Sequence, residues 1–246
     1  MWPYPFWIAH RGAGKLAPEN TLAAFRLGAA HGWRMLECDV KLAQDGVPFL
    51  LHDATLERTT SGHGTAGDHP WAQLAQLDAG GWHSRQYAGE PLPTLQNAAR
   101  WSRANGVLLN LEIKPSPGQD ERTGQAVAEH VAALWADAPA PPLLTSFSVP
   151  ALQAARRAAP DQPLGLLLDA LPPDWRDTAQ SLACVALVCR HTLWTPALVA
   201  EAKALGLRCL SYTVNDVAEA RRLIDLGTDG IISDAVDVFC PVDAAR

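Results

Sequence analysis

The sequence predicts an α/β fold, a single (β/α)8 TIM barrel with a β-hairpin and a small cap insertion, and three observations carry that expectation. Nine short β-rich runs recur at residues 6–10, 35–40, 47–52, 107–114, 143–148, 164–168, 184–189, 208–213 and 230–234. Most are separated by Ala-, Leu- and Glu-rich segments with helical spacing, such as 20–31, 123–136, 150–159, 195–205 and 216–226. Strand and helix alternate, which calls for parallel strands joined by helical crossovers. The second observation is the exception: only six residues separate Val40 from Val47, too few for a parallel crossover, so those two runs form a hairpin. Asp45-Gly46 supplies its turn, because both residues tolerate the positive φ that a type I′ turn requires. Without the return arm eight strands remain, which matches a closed barrel. The third observation is length: 246 residues suit one barrel and one core, so residues 1–246 are expected to form a single domain. Residues 54–93 have no clean strand signal and are rich in Gly, Thr, Trp and His. They are expected to form a cap inserted after the hairpin, with short helices near residues 71–77.

Composition narrows the function classes. Hydrophobic residues make up 48% and charged residues 19%, a folded rather than disordered profile. The net charge of −6 and the absence of a basic run exclude a nucleic-acid surface. An anionic substrate must therefore be met by a local device, such as a bound cation or a few placed basic groups. The cysteines Cys38, Cys184, Cys189, Cys209 and Cys240 are odd in number, lie mostly in apolar runs and show no CxxC spacing, so free buried thiols are expected. The first residues lack a basic, then apolar, leader pattern, and no apolar stretch of about 18 residues is free of proline. A cytoplasmic chain without stable membrane insertion is the expectation, with oligomeric state left open.

Polar residues gather where strands end. His10-Arg11 closes the first strand, Glu37 and Asp39 lie near the end of the second, and Glu112 and Lys114 end the third parallel strand. Residues two apart on a strand share a face, so Glu37 pairs with Asp39 and Glu112 with Lys114. At the C-terminal mouth of a barrel these faces converge, and three carboxylates meeting there need a compensating cation. An all-oxygen set suits one hard divalent ion, Mg2+ or Ca2+. A hairpin turning at Asp45-Gly46 places His52 opposite Asp39, and a turn one residue earlier places it opposite Glu37. In either register His52 joins His10 beside the carboxylates, and the two form a candidate acid and base pair.

Other features divide evenly or lean structural. Pro18 is a good first residue for a helix, so Pro18-Glu19-Asn20-Thr21 reads equally as a helix start and as a functional loop. His31, His63, His69, His83 and His130 have no positioned partner in sequence and read as structural, whereas His191 follows a strand directly. Gly12-Ala13-Gly14-Lys15 lacks the GxxxxGK spacing and the following Ser or Thr of a phosphate loop.

Taken together, AHRG at 9–12, PENT at 18–21, ExD at 37–39, HD at 52–53, EIK at 112–114, SF at 146–147, YTVN at 212–215 and DGIISD at 229–234 resemble the glycerophosphodiester phosphodiesterase family, over residues 8–240. The opening of the chain looks like the cytoplasmic bacterial members. The resemblance implies hydrolysis of small glycerophosphodiesters to glycerol 3-phosphate and an alcohol. It implies Glu37, Asp39 and Glu112 as ligands of the divalent ion, His10 and His52 as acid and base, and Arg11 and Lys114 as grips on phosphate oxygens. Phe147 and Tyr212 would line the substrate pocket. It further implies attack by the substrate's own glycerol hydroxyl, giving a cyclic phosphate that water then opens. The departures are Val40-Lys41-Leu42 after ExD and Glu57 after HD, and none touches a ligand position.

Two competing readings have their own marks. A barrel phospholipase acting on lysophospholipids requires an apolar or basic docking rim; Trp71, Trp82 and Tyr87 are the candidates, but prolines and acidic residues surround them. A non-catalytic barrel that binds glycerol phosphate would lack a metal ligand or a histidine, and this chain has all of them.

Overall fold

The computed structural model describes residues 2–239 and 241. Eight parallel strands close on themselves: β1 (Trp7–Ala9), β2 (Met35–Leu42), β4 (Leu108–Ile113), β5 (Leu143–Ser146), β6 (Leu164–Leu168), β7 (Ala186–Arg190), β8 (Arg208–Tyr212) and β9 (Gly230–Ser233). Pairing of β1 with both β9 and β2 closes the ring. The ninth strand, β3 (Pro48–Leu50), pairs antiparallel with β2 outside it. The expected TIM barrel with an appended hairpin is therefore the observed fold.

Helices α1 (Leu22–Ala30), α3 (Leu95–Asn105), α4 (Asp120–Leu134), α5 (Val149–Ala158), α6 (Trp175–Ser181), α7 (Pro196–Ala204) and α8 (Val217–Asp225) connect the strands. Their starts follow from capping chemistry. Thr21, Thr94, Ser148, Thr195 and Asp216 each accept a hydrogen bond from a first-turn amide, satisfying groups the helix leaves unpaired. Proline follows at the first turn of α5 and α7, where its missing N–H costs nothing. Because Thr21 caps α1, Pro18 lies three residues before the cap, and Pro18-Glu19-Asn20 is a loop rather than a helix start.

Alternation along the strands sorts the core into two layers. Ile8, Met35, Leu143, Leu167, Val188, Leu210 and Ile232 form a cluster that Tyr4 joins, its hydroxyl donating to the Pro141 carbonyl. Their strand neighbours Trp7, Leu36, Cys38, Leu144, Leu166, Leu187 and Cys209 pack in a second cluster with Phe25, Val127, Leu152 and Leu198 of the helices. Cys38, Cys189 and Cys209 are buried, Cys184 is half-buried, and all four are free thiols; Cys240 lies outside the described residues.

The hairpin corrects both registers read from the sequence. Val40 faces Leu50 and Leu42 faces Pro48, so continuation of the pairing would bring His52 opposite Cys38, midway between the two alternatives. The loop holds three residues: the Gly46 amide donates to Ala43 O and the Ala43 amide to Val47 O. Only Gly46 has positive φ, at 88°, as in a type I turn closed by a left-handed glycine. The Leu51 amide makes the last ladder bond, to Asp39 O at 3.1 Å, and a bend then carries His52 to the mouth.

The segment 54–93 contains α2 (Trp71–Leu74) and short 3-10 turns at Ala66–Asp68 and Arg85–Tyr87. Leu51, Leu56, Ala66, Leu74, Ala79 and Leu92 bury one another with Phe49, giving it a small core of its own. Among the described residues, no helix is long and apolar enough to cross a membrane.

Candidate active site

Strand register explains why the carboxylates meet. Glu37 and Asp39 share a face of β2, and Asp39 stands directly opposite Glu112 on β4. One oxygen from each of Glu37, Asp39 and Glu112 lies within 4.8 Å of the others, and all three residues are buried. Burial and the Asp39 charge push the Glu37 carboxyl up to about 8, and burial and Asp39 push Glu112 up to about 7. Asp39 goes the other way: burial opposes its charge, but Arg11, His52, Lys114 and the Asn20 amide outweigh burial and hold it below the usual carboxylate range. Asn20 clamps it at both ends, its Nδ2 donating to Asp39 Oδ2 at 2.9 Å while its Oδ1 accepts the Asp39 amide at 2.9 Å.

The donor set fits a hard cation. Glu37 Oε1 is buried and has no hydrogen-bond partner, a costly arrangement that a positive ion relieves. All candidate ligands are carboxylate oxygens, the choice of Mg2+ or Ca2+ rather than a thiophilic metal.

The two histidines are each oriented by an aspartate. Ala9 pairs with Leu36 on one side and Ser233 on the other, so the next residue, His10, stands between Glu37 and Asp234. His10 Nδ1 is 2.6 Å from Asp234 Oδ1, and its Nε2 is 3.8 Å from Glu37 Oε2. Asn215 holds the other Asp234 oxygen, Nδ2 donating at 2.9 Å. His52 Nδ1 is 2.7 Å from Asp53 Oδ1. An ionised carboxylate only accepts, so each ring presents Nδ1–H to its aspartate and leaves Nε2 free to move a proton. Burial lowers the His10 pKa, but the Asp234 hydrogen bond and the Glu37 charge overcome it and raise the ring above its ordinary value. His52 falls below its ordinary value, because burial and the cations Arg11 and Lys114 outweigh Asp39 and Asp53.

Arg11 adopts a left-handed φ of 51°, rare for a branched-out side chain and costing on the order of 1–2 kcal/mol. That turn aims its amide at Glu37 Oε2, 3.0 Å away. Its Nη1 donates to Glu19 Oε1 at 2.7 Å, while Nε, 3.6 Å from Asp39 Oδ2, is buried without a hydrogen-bond partner. The loop that follows packs so closely on the backbone of Asp234 that a Cβ on Gly14 would lie 2.0 Å from its carbonyl oxygen. Lys114 Nζ donates to Glu112 Oε1 at 2.6 Å and lies 3.7 Å from Asp39 Oδ1.

Apolar groups form the facing wall. Phe147 and Tyr212 meet edge to face with centroids 5.7 Å apart, and Lys114 Nζ sits 5.5 Å from the Phe147 centroid. The Tyr212 hydroxyl donates to the Leu168 carbonyl at 3.0 Å. A small cavity bounded by His10, Glu37, Glu112, Phe147 and Tyr212 adjoins a wider cleft of about 570 Å3 bounded by His52, Lys114 and Phe147. All nine residues singled out from the sequence thus line the mouth or bond to groups that do.

Five further residues belong to this network without having been given roles from sequence: Asp53 and Asp234 on the histidines, Glu19 and Asn20 from the PENT loop, and Arg58 from the cap. Asp53 follows its histidine in the chain, and Asp234 is a strand-end carboxylate like Glu112, so both carried a readable signal. Lys41, a departure from the family pattern, is buried, and its Nζ donates to the Lys114 carbonyl at 3.0 Å. His191 is bound by Glu219 at 2.6 Å, with Arg222 donating to its carbonyl, an arrangement that fixes the turn after β7. His69, His83 and His130 hydrogen-bond to nearby backbone or side chains, as their structural reading predicts.

Comparison with known proteins agrees with this geometry. The glycerophosphoryl diester phosphodiesterase family model matches residues 10–238. A glycerophosphodiester phosphodiesterase of Caldanaerobacter subterraneus is 33% identical over 232 residues, covering 92% of this chain and 93% of the relative. A second, from Bacillus subtilis, is 28% identical over 255 residues, covering 94% and 84%. Among solved structures, an Oleispira antarctica phosphodiesterase in complex with the product sn-glycerol-3-phosphate superposes with a TM-score of 0.90 at 35% identity, covering 98% of this chain and 97% of the other. With the family model spanning nearly the whole chain over a barrel whose carboxylates and histidines converge at one mouth, the chain belongs to the glycerophosphoryl diester phosphodiesterase family.

Proposed function

We propose that this barrel hydrolyses small glycerophosphodiesters, the deacylated headgroups of phospholipids, to sn-glycerol 3-phosphate and an alcohol, with one divalent ion held by Glu37, Asp39 and Glu112. The observation that carries the reading is Glu37 Oε1, buried and without a hydrogen-bond partner beside the Asp39 and Glu112 carboxylates, which calls for a cation. A metal ion answers it, and Arg11 and Lys114 beside it suit the phosphate that such an ion would share. The product named in the Oleispira structure supports the same substrate class.

Mg2+ or Ca2+, when bound, supplies Lewis-acid polarisation of a phosphoryl oxygen. The chain's own groups do the rest. Arg11 and Lys114 grip phosphate oxygens and offset the charge that builds on them. Phe147 and Tyr212 form the apolar wall that lines the pocket beside the glycerol or the leaving group. One histidine takes the proton of the substrate's neighbouring glycerol hydroxyl as that oxygen bonds to phosphorus. The other histidine gives its proton to the departing alcohol as the old P–O bond breaks. A cyclic glycerol phosphate results, and water opens it with the two proton-transfer roles exchanged. Asp234 and Asp53 keep each Nε2 available throughout by holding Nδ1–H.

Release of sn-glycerol 3-phosphate from glycerophosphocholine, with EDTA and then with Mg2+ or Ca2+ restored, tests this directly. Product that disappears with EDTA and returns with metal is expected. A folded, metal-loaded protein that turns over no glycerophosphodiester would sink the proposal. Liposome sedimentation and a lysophospholipid substrate would then test the lipid-directed alternative.

A further inference from the structure

Arg58 lies in the cap segment, and its side chain reaches back to the mouth, yet it has no place in the reaction just described. Its guanidinium makes four hydrogen bonds to two carboxylates. Nε and Nη2 donate to Asp53 Oδ2 and Oδ1 at 2.6 and 2.9 Å, while Nη1 and Nη2 donate to Glu19 Oε2 and Oε1 at 2.8 and 2.8 Å. Both contacts are two-pronged, so the plane of the guanidinium fixes the planes of both carboxylates.

The shared oxygens matter most. Asp53 Oδ1 is also the partner of His52 Nδ1, and Glu19 Oε1 is also the acceptor for Arg11 Nη1. The side chains therefore form one continuous series: His52, Asp53, Arg58, Glu19, Arg11. We propose that Arg58 is a positioning residue that fixes the proton-transfer histidine and the phosphate-gripping arginine relative to each other. This rests on the roles assigned to His52 and Arg11 above.

Two physical consequences follow. Lysine at position 58 would keep the charge but lose the fork, because an ammonium group cannot satisfy two carboxylates in fixed planes. Geometry rather than charge is at stake, so Arg58→Lys should behave like Arg58→Ala. Second, Arg58 neutralises Asp53. The charged groups around His52 are Asp53 on its own segment, Asp39 from β2, Arg11 after β1 and Lys114 after β4. Removing Arg58 leaves the Asp53 charge acting on His52 alone and favours the imidazolium.

The test uses the full chain with saturating Mg2+ and glycerophosphocholine. Arg58→Lys and Arg58→Ala should each lower kcat by about 10- to 100-fold, the range typical for losing an outer partner of a reacting group. Ethylguanidine should restore part of the Arg58→Ala loss by filling the space of the missing guanidinium. The control is Arg157→Ala, which removes a more exposed arginine–carboxylate pair with Glu121 away from the mouth. It should leave kcat and the thermal midpoint nearly unchanged, since exposed pairs contribute little stability, and circular dichroism of both Arg58 variants should show the fold intact. A kcat for Arg58→Ala within twofold of the parent, or full activity in Arg58→Lys, would overturn the proposal. A second arm needs no turnover: the His52 ring signals, assigned by NMR through their loss in His52→Gln, should move alike in Arg58→Ala and Arg58→Lys, since both lose the fork. An unmoved His52 overturns the positioning role even in an active enzyme. A shifted His52 in a protein that turns over no glycerophosphodiester would leave Arg58 as its positioner and refute only the assigned reaction.

Discussion

Around the barrel mouth, β1, β2, β4 and β9 bring His10, Arg11, Glu37, Asp39, Glu112, Lys114 and Asp234, whereas β5, β6 and β8 bring Phe147, Leu168 and Tyr212, with Arg190 the charged residue that ends β7. The same architectural position thus carries clustered, buried charge on one side and mostly apolar surface on the other. The charged side is expensive: it buries three carboxylates together and bends Arg11 into a left-handed conformation. The apolar side makes ordinary core and edge contacts. Free energy is spent where the proposed chemistry occurs, and substitutions should divide along the same line, large effects on rate from one side and small effects on substrate binding from the other.

The largest effect is expected at the carboxylates. Glu37→Gln or Glu112→Gln should weaken Mg2+ binding by more than the roughly 10- to 100-fold that follows loss of an outer partner, and activity should fall with it. Titration calorimetry of the purified variants measures this; unchanged metal affinity in either would remove that residue from the ligand set. Next come the histidines. His10→Ala and His52→Ala should each lower kcat by roughly 100-fold or more with the fold intact, as seen by circular dichroism. Near-normal turnover in one of them would take that ring out of the mechanism.

A smaller effect concerns pH. Without metal, Glu37 and Glu112 hold protons up to about 8 and about 7, whereas in the unfolded chain both ionise at ordinary carboxyl values. The folded state binds more protons in that window, so the pair lends metal-free stability that is fully present at acid pH and lost as pH rises toward 8. A cation must displace those protons, so its affinity should tighten by about 10-fold or more between pH 6 and pH 7. Calorimetry at the two pH values reads this; a flat profile would mean that the carboxylates are already ionised, and that the apolar side does not desolvate them.

The same contrast explains what the sequence disclosed. The alternation of β-rich runs with helical segments located every barrel strand, because period and crossover length are local properties. Glu37, Asp39, Glu112 and Lys114 were legible from strand periodicity alone, since residues two apart share a face. The hairpin register was not, because a two-residue and a three-residue loop both accommodate Asp45-Gly46, and only the folded chain shows that Gly46 alone takes positive φ. Arg58 and Glu19 were harder still. Their meeting depends on how the cap and the PENT loop approach one another across 39 residues of sequence, which no periodicity encodes. Residues that act through strand geometry can be read from sequence, and residues that act by bridging loops cannot.

The smallest effect is expected on the side without clustered charge. Phe147 is 42% exposed, packs edge to face on Tyr212 and lies under Lys114, so it touches both walls of the mouth. Phe147→Ala removes a cation–π contact of about 0.5–1 kcal/mol together with part of the apolar wall, but no proton donor, ligand or anion grip. KM for glycerophosphocholine should rise about 3- to 10-fold while kcat stays within about threefold, the signature of lost binding that is equal in ground and transition states. A fall in kcat matching that of the histidine variants would show that Phe147 aligns Lys114 for the reaction, and the mouth would then have to be regarded as one coupled surface rather than two sides with separate work.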